Sequence, residues 1–507
     1  FDGSILAFTH NLIPKYYIDT ISLARGILPT IKSYSLKYVA DYLGIGYKDS
    51  TALGEVKGIL NPSKEQLKGL GVYCKDDVTL TWQVFQKLAP FLPEAEYHLI
   101  DQTIKMQTQP QLTLDKERLE GVIDTKLAER QDVLEAAGVD ISTVRSSAKL
   151  VQKFQELGVD PPMKISPRTG KQAPAFAKTD LGMQKLLNDP DPKIANLAKA
   201  RISCMSNIDI KRAERFINIH DCNDGILPVP LNYYGAHTGR WSGGDKINMQ
   251  NLTKKSGLRY CIVAPPDHLI MAADQSQIEA RITAWLAEHM KLLRDFKLKD
   301  DGLSPYDVYQ IMASHIYNVD CKNVTEDQRF IGKMCVLGLG YGMGYEKLAT
   351  VLNQILGAGS VPEYEAKNMV DIYRSVNKPI IELWGTMTEI LNQMVHQRDG
   401  VYKCISYDPN SIKLPNGMYL QYPFLNMTAN DWGAPQYEYN YKDKTQKIYG
   451  GRLTENVVQA LARSVIANNI LTIKDRYQVA TMTHDEIIIV PHKSEVDDAH
   501  EFVTKVM

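Results

Sequence analysis

Two apolar segments that lie far apart in the chain each carry a carboxylate at one end, and this arrangement most constrains the fold. Residues 269–281 (LIMAADQSQIEAR) are predicted to form a strand that ends at Asp274 and is followed by a helix. Residues 481–491 (TMTHDEIIIVP) are predicted to form a tight β-hairpin with Asp485 and Glu486 near its turn. A carboxylate at the end of a rigid strand is well placed to bind a metal ion.

Each aspartate alone has an ordinary structural interpretation. Asp274 fits the N-cap of a helix that begins near Ser276, and Asp485 fits a turn that faces solvent. Taken together, the two residues favour chemistry at phosphate. Phosphoryl transfer uses two cations about 3.5–4 Å apart, and Asp274 and Asp485 would each supply a ligand from neighbouring strands.

A third segment, residues 327–344 (DQRFIGKMCVLGLGYGMG), places Arg329, Lys333, Leu337 and Tyr341 at helical spacing. This spacing predicts one stripe on a helix. Two cations suit phosphates, and an apolar and an aromatic residue suit a sugar and a base, so the stripe predicts a nucleoside triphosphate site. The alternative is a solvated cationic face beside a core stripe. The glycines near the end of the segment argue against that alternative, because glycine weakens a helix end and admits a close neighbour.

The chain has 507 residues, a length typical of about three domains, and its 44% hydrophobic and 23% charged residues are those of a soluble globular protein. It has no run of about 20 apolar residues that would predict a membrane span. The seven cysteines include no C-x-x-C pair, which argues against a zinc site or a disulfide framework and favours a reducing compartment. The net charge of -1 does not indicate nucleic acid by itself, so a DNA-binding chain must sort its Lys and Arg onto one face.

Periodicity divides the chain into segments of different character. Residues 1–95 are predicted to be α/β and residues 96–215 to be helix-rich, and strands return beyond them. A helical block covers about 276–400, and the remainder holds short strands, one long helix at 454–477 and the hairpin. Because the chain starts at Phe1 and stops inside a predicted helix, we expect a fragment of a longer reading frame.

These motifs resemble those of family-A DNA polymerases, the class of bacterial DNA polymerase I. DQSQIEAR (274–281) resembles motif A, R-x3-K-x7-Y-G (329–342) resembles motif B on the O helix, and HDE (484–486) resembles motif C. Two further segments agree with this order. Residues 237–252 (HTGRWSGGDKINMQNL) are similar to the stretch that contacts primer and template, and residues 450–463 (GGRLTENVVQALAR) are similar to the palm helix before motif C.

The resemblance is strong over residues 225–507, weak over 96–224, and most similar in wording to phage and prophage members. It implies an α+β fold shaped as a right hand of palm, fingers and thumb, preceded by a partial RNase H-like 3′–5′ exonuclease domain. The implied domains are the partial exonuclease (1–95), the thumb (96–215), the palm with motif A (216–290), the fingers with motif B (291–400) and the palm with motif C (401–507).

The resemblance implies that Asp274 and Asp485 bind two Mg²⁺ ions, for which Mn²⁺ can substitute. The carbonyl of Gln275 is implied as a further ligand and Glu486 as an accessory carboxylate. Lys333 is implied to bind the triphosphate and to protonate the leaving pyrophosphate. The implied catalytic set is therefore Asp274, Asp485, Glu486 and Lys333.

Other positions are implied to contact the substrates. Glu279 would be the steric gate that excludes a ribose 2′-hydroxyl, and Tyr341 would pack against the nascent base pair. The set implied for dNTP binding is Arg329, Lys333, Leu337, Tyr341, Glu279, Gln275 and Tyr309. The set implied for DNA binding is Arg240, Gln459, His484 and Arg281.

Three positions depart from the family pattern. The family usually has Phe or Tyr in place of Leu337, His in place of Tyr309 and Tyr in place of Gln275. The backbone ligand survives at Gln275 because every residue offers a carbonyl, and Tyr309 can still donate one hydrogen bond to phosphate. We expect Leu337 to lie beside the sugar of the incoming nucleotide, with core packing between fingers helices as the alternative.

At the start of the chain, Phe1-Asp2 resembles the end of the second motif of RNase H-like 3′–5′ exonucleases, and Tyr73-x3-Asp77 resembles the third. Two metals would require Asp2, Asp77 and a D-x-E pair on an earlier strand, and the sequence lacks that strand. We therefore expect a proofreading parent and an incomplete exonuclease in this chain. The alternative for residues 73–77 is an exposed helix start.

The predicted function is template-directed addition of dNTPs to the 3′ end of a primer, in DNA replication or repair. We expect primer–template DNA and dNTPs as partners, a monomer with no membrane contact, and a cytoplasmic location, in a bacterial host if a phage encodes the chain. A single-subunit RNA polymerase shares the palm, but Glu279 argues against it, because that enzyme must admit the 2′-hydroxyl. A nuclease or DNA-binding protein with an inactive polymerase domain is the second alternative, and the intact metal and triphosphate residues argue against it.

Overall fold

Short antiparallel sheets and long helices frame the two aspartates of the hairpin and motif A strands. The computed structural model describes residues 2–47, 51–166, 169–357, 359–430 and 433–507. Its mixture of helix and sheet confirms the predicted α+β class. The strands are β1 (Leu112–Leu114), β2 (Met163–Ile165), β3 (Gln172–Pro174), β4 (Ile226–Leu227), β5 (Leu231–Asn232), β6 (Ser242–Gly243), β7 (Ile262–Val263), β8 (Met271–Asp274), β9 (Gly400–Tyr402), β10 (Ile405–Asp408), β11 (Ser411–Lys413), β12 (Tyr419–Gln421), β13 (Asn426–Ala429), β14 (Pro435–Tyr441), β15 (Lys444–Ile448), β16 (Val479–Thr483) and β17 (Glu486–Ile489).

The first 95 residues form helices, and the α/β prediction is wrong over the positions of this segment that the structure describes. A short apolar run such as residues 4–8 (SILAF) fits a strand or a helix, and so few residues cannot separate the two. Local capping signals start helices here: Asp19 accepts a hydrogen bond from the amide of Ser22, and Ser63 and Gln66 form a capping box. The helices are α1 (Asp2–His10), α2 (Thr20–Ile27), α3 (Leu36–Tyr42), α4 (Thr51–Val56) and α5 (Lys64–Leu88).

Residues 96–215 are helix-rich, as predicted. Phe154, Met183 and Leu197 are buried in a hydrophobic cluster that is separate from the main core of the chain. This separation supports an independent packing unit at the predicted thumb, although the boundaries themselves stay a prediction. The helices are α6 (Glu94–Thr108), α7 (Lys116–Ala137), α8 (Ile141–Arg145), α9 (Ser147–Glu156), α10 (Leu181–Leu187), α11 (Pro192–Met205) and α12 (Ile208–Cys222).

The sheet that carries motifs A and C has the strand order β16–β17–β8 and is antiparallel. Its register pairs Glu486 with Asp274 and Ile487 with Ala273. Ile487 is buried in the main core, whereas Asp274 is exposed. Because side chains alternate between the two faces of a strand, the same sheet sends Ile487 and Ile489 to the core and places the carboxylates of Glu486 and Asp274 on the opposite face.

The predicted helical block is confirmed, and two of its helices pack very closely. A Cβ on Gly332 would overlap the main-chain oxygen of Tyr309, so only glycine permits this contact between α15 and α16. Thr325 and Gln328 form a capping box that starts α16. The helices are α13 (Ile278–Leu286), α14 (Met290–Asp300), α15 (Val308–Tyr317), α16 (Glu326–Leu339), α17 (Tyr345–Leu356), α18 (Glu363–Val376) and α19 (Lys378–Val395).

Two antiparallel sheets, β9–β12 and β13–β15, precede the long helix α20 (Gly450–Ile473), and α21 (Val496–Val506) follows the hairpin. Helix α20 packs against α19 and α13 on one side and α6 on another, which makes it the central support of the palm. Across the described ranges, no helix combines the length and the apolarity needed to cross a bilayer.

Candidate active site

Asp274 is the last residue of β8, and the helix after it begins at Ile278, slightly later than predicted. The N-cap position of that helix is Gln277, which has a φ of 60°, so Asp274 is not the helix cap. Asp485 lies in the turn between β16 and β17, and its main-chain oxygen accepts a hydrogen bond from the amide of Gln275 at 3.0 Å. The structure therefore brings together all three residues predicted to bind metal.

Negative charge is concentrated where the two strands meet. The Asp274 residue is exposed at its surface, but its carboxyl group is partly desolvated by neighbouring protein, which raises its pKa; the charges of Asp485 and Glu486 raise this pKa further, and Lys333 lowers it. Glu486 lies opposite Asp274 in the strand register, and like charges in that position destabilise a sheet. Arg259 lies 3.6 Å from the carboxylate of Glu486 and offsets part of this repulsion.

The donor set suits a divalent cation that prefers oxygen ligands, such as magnesium. A cation beside Asp274 and Asp485 would relieve the repulsion that raises the pKa of Asp274. No cluster of three or more His, Cys, Asp or Glu side chains has the arrangement of a metal site in the described parts of the chain. Besides the two carboxylates, a cation here would need main-chain oxygens, such as the Gln275 carbonyl, and oxygens such as those of substrate phosphates and water that magnesium commonly takes.

Arg329 and Lys333 lie one turn apart on α16 and share an aromatic neighbour on α15. The guanidinium carbon of Arg329 is 5.7 Å from the ring centroid of Tyr309, and the amine of Lys333 is 5.9 Å from it. Burial raises the pKa of Tyr309 to about 12, with Asp307 and then Asp485 contributing in the same direction. The phenol is therefore protonated at neutral pH.

Tyr341 does not extend the stripe of α16, contrary to the prediction, because the helix ends at Leu339. Gly340 closes the helix, and Gly342 has a φ of 84° in the turn that follows. Leu337 remains on the predicted stripe. Its exposed fraction of 37% weighs against a role in core packing alone.

Glu279 is held from two sides. One carboxylate oxygen accepts from the guanidinium of Arg240, and the other accepts from the hydroxyl of Tyr341 at 3.2 Å. Burial, and then the charge of Glu279, raise the pKa of Tyr341, so its hydroxyl stays a donor. These contacts join the predicted ribose gate, primer contact and base-pair contact in one network.

Gln250 fixes the turn that presents Asp485. Its buried side-chain amide donates to the main-chain oxygen of Met482 at 2.8 Å and accepts from the amide of His484 at 2.9 Å. His484 has a φ of 56°, a conformation that costs a non-glycine residue of order 1–3 kcal/mol. The Gln250 amide therefore stabilises a strained turn at the site.

Besides Arg240, which binds Glu279, Gln459 and Arg281 among the predicted DNA contacts also have protein partners. The side-chain oxygen of Gln459 accepts from Thr238 at 3.3 Å, and its amide nitrogen donates to Glu455 at 3.2 Å. The guanidinium of Arg281 donates to both carboxylate oxygens of Asp300 on α14, and this pair lowers the pKa of Asp300. The DNA-binding roles of Gln459 and Arg281 stay predictions.

The exonuclease motif gains no support from the structure. Phe1 lies outside the described residues, and Asp2 is the first residue of α1, which packs against α6. Tyr73 and Asp77 lie in the middle of α5, so the alternative of an exposed helix start is wrong. Helix α5 packs against α2, α3 and α4, and the two motif halves form no recognisable metal cluster among the described residues.

Two functional candidates were missed by the sequence motifs. Gln250 lies inside the quoted segment 237–252, but nothing in the sequence indicates that it reaches a hairpin more than 200 residues later. Asp307 binds the guanidinium of Arg329. The Asp307-x-x-Gln310 spacing is a recognisable capping box, but its partner on the next helix is not encoded in that spacing.

The chain matches the family model described as DNA polymerase family A over residues 117–507. The DNA polymerase of Bacillus phage SP02 is 23% identical over 91% of this chain and 76% of its own length. DNA polymerase I of Pseudomonas aeruginosa is 24% identical over 72% of this chain and 38% of its own length, so the chain spans well under half of that relative. The solved POL domain of Pol1 from M. smegmatis, in complex with DNA primer-template and dNTP, has a TM-score of 0.64 and 19% identity, covering 96% of this chain and 78% of that one. This last similarity shows a common fold.

Proposed function

The chain belongs to DNA polymerase family A, whose activity is DNA-directed DNA synthesis, and we propose that its reaction takes place between the palm carboxylates and the fingers cations. One observation carries this proposal: α16, which carries Arg329 and Lys333, packs against α13, the helix that follows Asp274. The charge of Lys333 also lowers the pKa of Asp274, in line with this packing. A triphosphate placed there would meet Arg329 and Lys333 on one side and metal-binding carboxylates on the other.

We propose that Asp274, Asp485 and the carbonyl of Gln275 hold two Mg²⁺ ions, or Mn²⁺ in their place, with Glu486 as an accessory carboxylate. When bound, such cations stabilise the negative charge that develops on the transferring phosphoryl group and make the 3′-hydroxyl a better nucleophile. The antiparallel register between β8 and β17 keeps these carboxylates together before substrate arrives.

Arg329 and Lys333 would bind the triphosphate oxygens, and Lys333 would give a proton to the leaving pyrophosphate. The protonated phenol of Tyr309 would donate a hydrogen bond to a phosphate oxygen, in place of the histidine that the family usually has. Both cations lie over the Tyr309 ring, which restricts where their charges can sit.

At the nucleoside end, Glu279 would exclude a ribose 2′-hydroxyl, Tyr341 would pack against the nascent base pair, and Leu337 would lie beside the sugar. The hydrogen bond between Tyr341 and Glu279 fixes the gate carboxylate relative to the base-pair platform. Any 2′-hydroxyl there would have to displace a carboxylate that is already held by two partners.

We propose that Arg240, Gln459, His484 and Arg281 follow the primer terminus, and that the partners are primer–template DNA and dNTPs, as in the solved neighbour. The domain division into thumb, palm and fingers at 96–215, 216–290 with 401–507, and 291–400 is part of this proposal. We also propose that the protein acts as a monomer in the cytoplasm, of a bacterial host if a phage encodes it.

Primer extension with a labelled primer, dNTPs and magnesium tests this function. Asp485→Asn and Asp274→Asn should each slow extension by at least about a hundredfold, because metal stabilisation of the transition state is worth several kcal/mol and each 1.4 kcal/mol is tenfold. The affinity for primer–template DNA should change little. Asp497→Asn, on an exposed carboxylate of α21, is the matched control and should extend normally. Near-normal extension by Asp485→Asn would refute the assignment.

A further inference from the structure

Asp307 divides its carboxylate between a helix cap and the predicted triphosphate residue Arg329. One oxygen, Oδ1, accepts from the amides of Tyr309 at 3.0 Å and Gln310 at 2.8 Å, which caps α15. The other oxygen, Oδ2, accepts from Nε of Arg329 at 3.0 Å and also from its Nη2. Each oxygen therefore has its own task, and the cap prevents the carboxylate from turning away from the guanidinium.

The pair leaves part of the Arg329 guanidinium available. A guanidinium carries five N–H donors in a fixed plane, and Asp307 engages the edge that bears Nε and Nη2. The Nη1 donors make no hydrogen bond within the described residues. The side chain of Asp307 is 12% exposed and that of Arg329 is 33% exposed, so the anion is the more buried partner and the cation remains partly accessible to a ligand.

The aromatic ring beneath Arg329 is also held in place. The Tyr309 ring lies below both Arg329 and Lys333, and the close contact at Gly332 holds α15 and α16 together at this point. Because contacts already fix the guanidinium plane and the ring beneath it, the Arg329 side chain loses less rotational freedom when a ligand binds. The arrangement is therefore that of a preformed cationic site.

We propose that Asp307 is a positioning residue for triphosphate binding, which orients Arg329 so that its free donors meet the phosphates of the incoming nucleotide. The proposal rests on the proposed function, because the ligand is the triphosphate of a dNTP. The alternative interpretation is that Asp307 competes with phosphate for Arg329 and weakens triphosphate binding. The geometry favours positioning, because the carboxylate is held by the helix cap and contacts only the edge of the guanidinium that bears Nε and Nη2.

Asp307→Asn separates the two tasks of the side chain. Asparagine caps a helix about as well as aspartate, so α15 should keep its start, but the charged partner of Arg329 is lost. We expect dNTP to bind about tenfold more weakly, equivalent to about 1.4 kcal/mol, on enzyme bound to a primer that ends in a dideoxynucleotide. DNA affinity and melting temperature should stay at the wild-type values.

A double-mutant cycle with Arg329→Ala shows whether Asp307 acts through Arg329. In the Arg329→Ala background, Asp307→Asn should weaken dNTP binding no further. Equal weakening in both backgrounds would overturn the proposal, and so would unchanged or tighter binding by Asp307→Asn alone. Asp307→Ser, which also caps a helix, replaces Asp307→Asn if the latter does not fold. Thr325→Ala is the control: it removes the cap of α16 and should lower the melting temperature without changing dNTP affinity.

Binding of inorganic tripolyphosphate to the enzyme without DNA repeats the cycle without any polymerase reaction. The same pattern of affinities is expected, because the ligand carries the phosphates alone. A wild-type protein that binds tripolyphosphate with this pattern but does not extend primers would contradict the proposed function and leave the role of Asp307 intact. A protein that extends primers but shows no coupling in either cycle would overturn the role of Asp307 alone.

Discussion

Glu96 on α6 and Arg463 on α20 form a buried ion pair, and we predict that Glu96→Gln lowers the free energy of unfolding by about 3–5 kcal/mol. Both side chains are 2% exposed. Glu96 also accepts from the hydroxyl of Tyr233 at 2.6 Å and from the side-chain amide of Asn416 at 2.9 Å. Glutamine keeps the shape of the side chain but leaves the Arg463 charge buried without a counterion, which is the costly case.

The predicted loss of stability is large because the Arg463 side chain cannot move out to solvent. Its guanidinium carbon lies 4.7 Å from the ring centroid of Trp241, and its Nε donates to the main-chain oxygen of Gly239 at 3.2 Å. Gly239 precedes Arg240, so the same arginine supports the loop that carries a predicted primer contact. With typical stabilities of about 5–15 kcal/mol, the substitution would remove a large fraction of the total.

The Glu96–Arg463 pair also makes the free energy of unfolding depend on pH in the acid range. Burial raises the pKa of Glu96, but the charge and hydrogen bonds of Arg463, with Tyr233 and Asn416, lower it overall. A folded-state pKa below the unfolded value of about 4.3 contributes stability that is complete above that pH and is lost as pH falls through the folded value. The stability difference between wild type and Glu96→Gln should therefore be constant near neutrality and shrink below about pH 4.

Urea unfolding followed by circular dichroism at pH 7 and at about pH 3, which lies below the unfolded pKa of glutamate, measures both effects. The matched control is Glu156→Gln on α9, which breaks an i,i+3 pair with Lys153 whose side chains are 47% and 45% exposed. Solvent screening limits such a pair to about 0–1 kcal/mol. The reasoning about the buried pair is wrong if the free energy of unfolding of Glu96→Gln lies within about 1 kcal/mol of the control's. It is also wrong if the difference between Glu96→Gln and wild type is the same at both pH values.

Three further outcomes are expected. Glu279→Ala should narrow the preference for dNTP over rNTP, because a held carboxylate no longer blocks the 2′-hydroxyl, and an unchanged ratio of kcat/KM values would remove the gate from Glu279. Leu337→Tyr should reduce discrimination against dideoxynucleotides about fivefold or more, because a phenol can replace the missing 3′-hydroxyl as a hydrogen-bond partner; equal dideoxy/deoxy ratios in chain-termination kinetics would contradict this. Burial lowers the pKa of His237, with Arg452 and Lys442 contributing, against its hydrogen bond to Gln421. Its stabilising contribution is therefore complete above about pH 6.5 and lost on acidification, so His237→Phe should show a smaller fall in melting temperature between pH 7 and pH 5 than wild type does.

The fold could be predicted where the hydrophobic pattern is long and could not where it is short. The periodicity of the helix at 454–477 extends over enough residues to separate helix from strand, and α20 confirms it. The hairpin was predictable from two apolar runs on either side of a short polar turn, and β16 and β17 confirm it. In residues 1–95 the apolar runs are only a few residues long, and runs of that length fit a strand or a helix equally well. The caps at Asp19 and Ser63 were the better local evidence.

The end of α16 shows a different limit. The four-residue spacing of Arg329, Lys333, Leu337 and Tyr341 predicts one helical stripe, but a spacing cannot say where a helix stops. The glycines at 340 and 342 were the stop signal, and the helix ends just before them. Tyr341 nevertheless reaches Glu279, because the turn after the helix returns it to the same site.

The residues that orient the site are the part that sequence motifs omit. Arg329 is aimed by Asp307, the hairpin turn is fixed by Gln250, and Glu279 is held by Arg240 and Tyr341. Each of these contacts joins two segments that are 22 or more residues apart, so no local spacing records it. A motif names the groups that meet the substrate, because those groups must be of one chemical type. Those groups can be oriented by any neighbour with a suitable donor or acceptor, so the orienting residues can be identified only in the folded chain. In this chain the clearest case is Tyr309, which replaces the family's usual histidine and whose ring lies beneath Arg329 and Lys333, the two cations predicted to bind triphosphate.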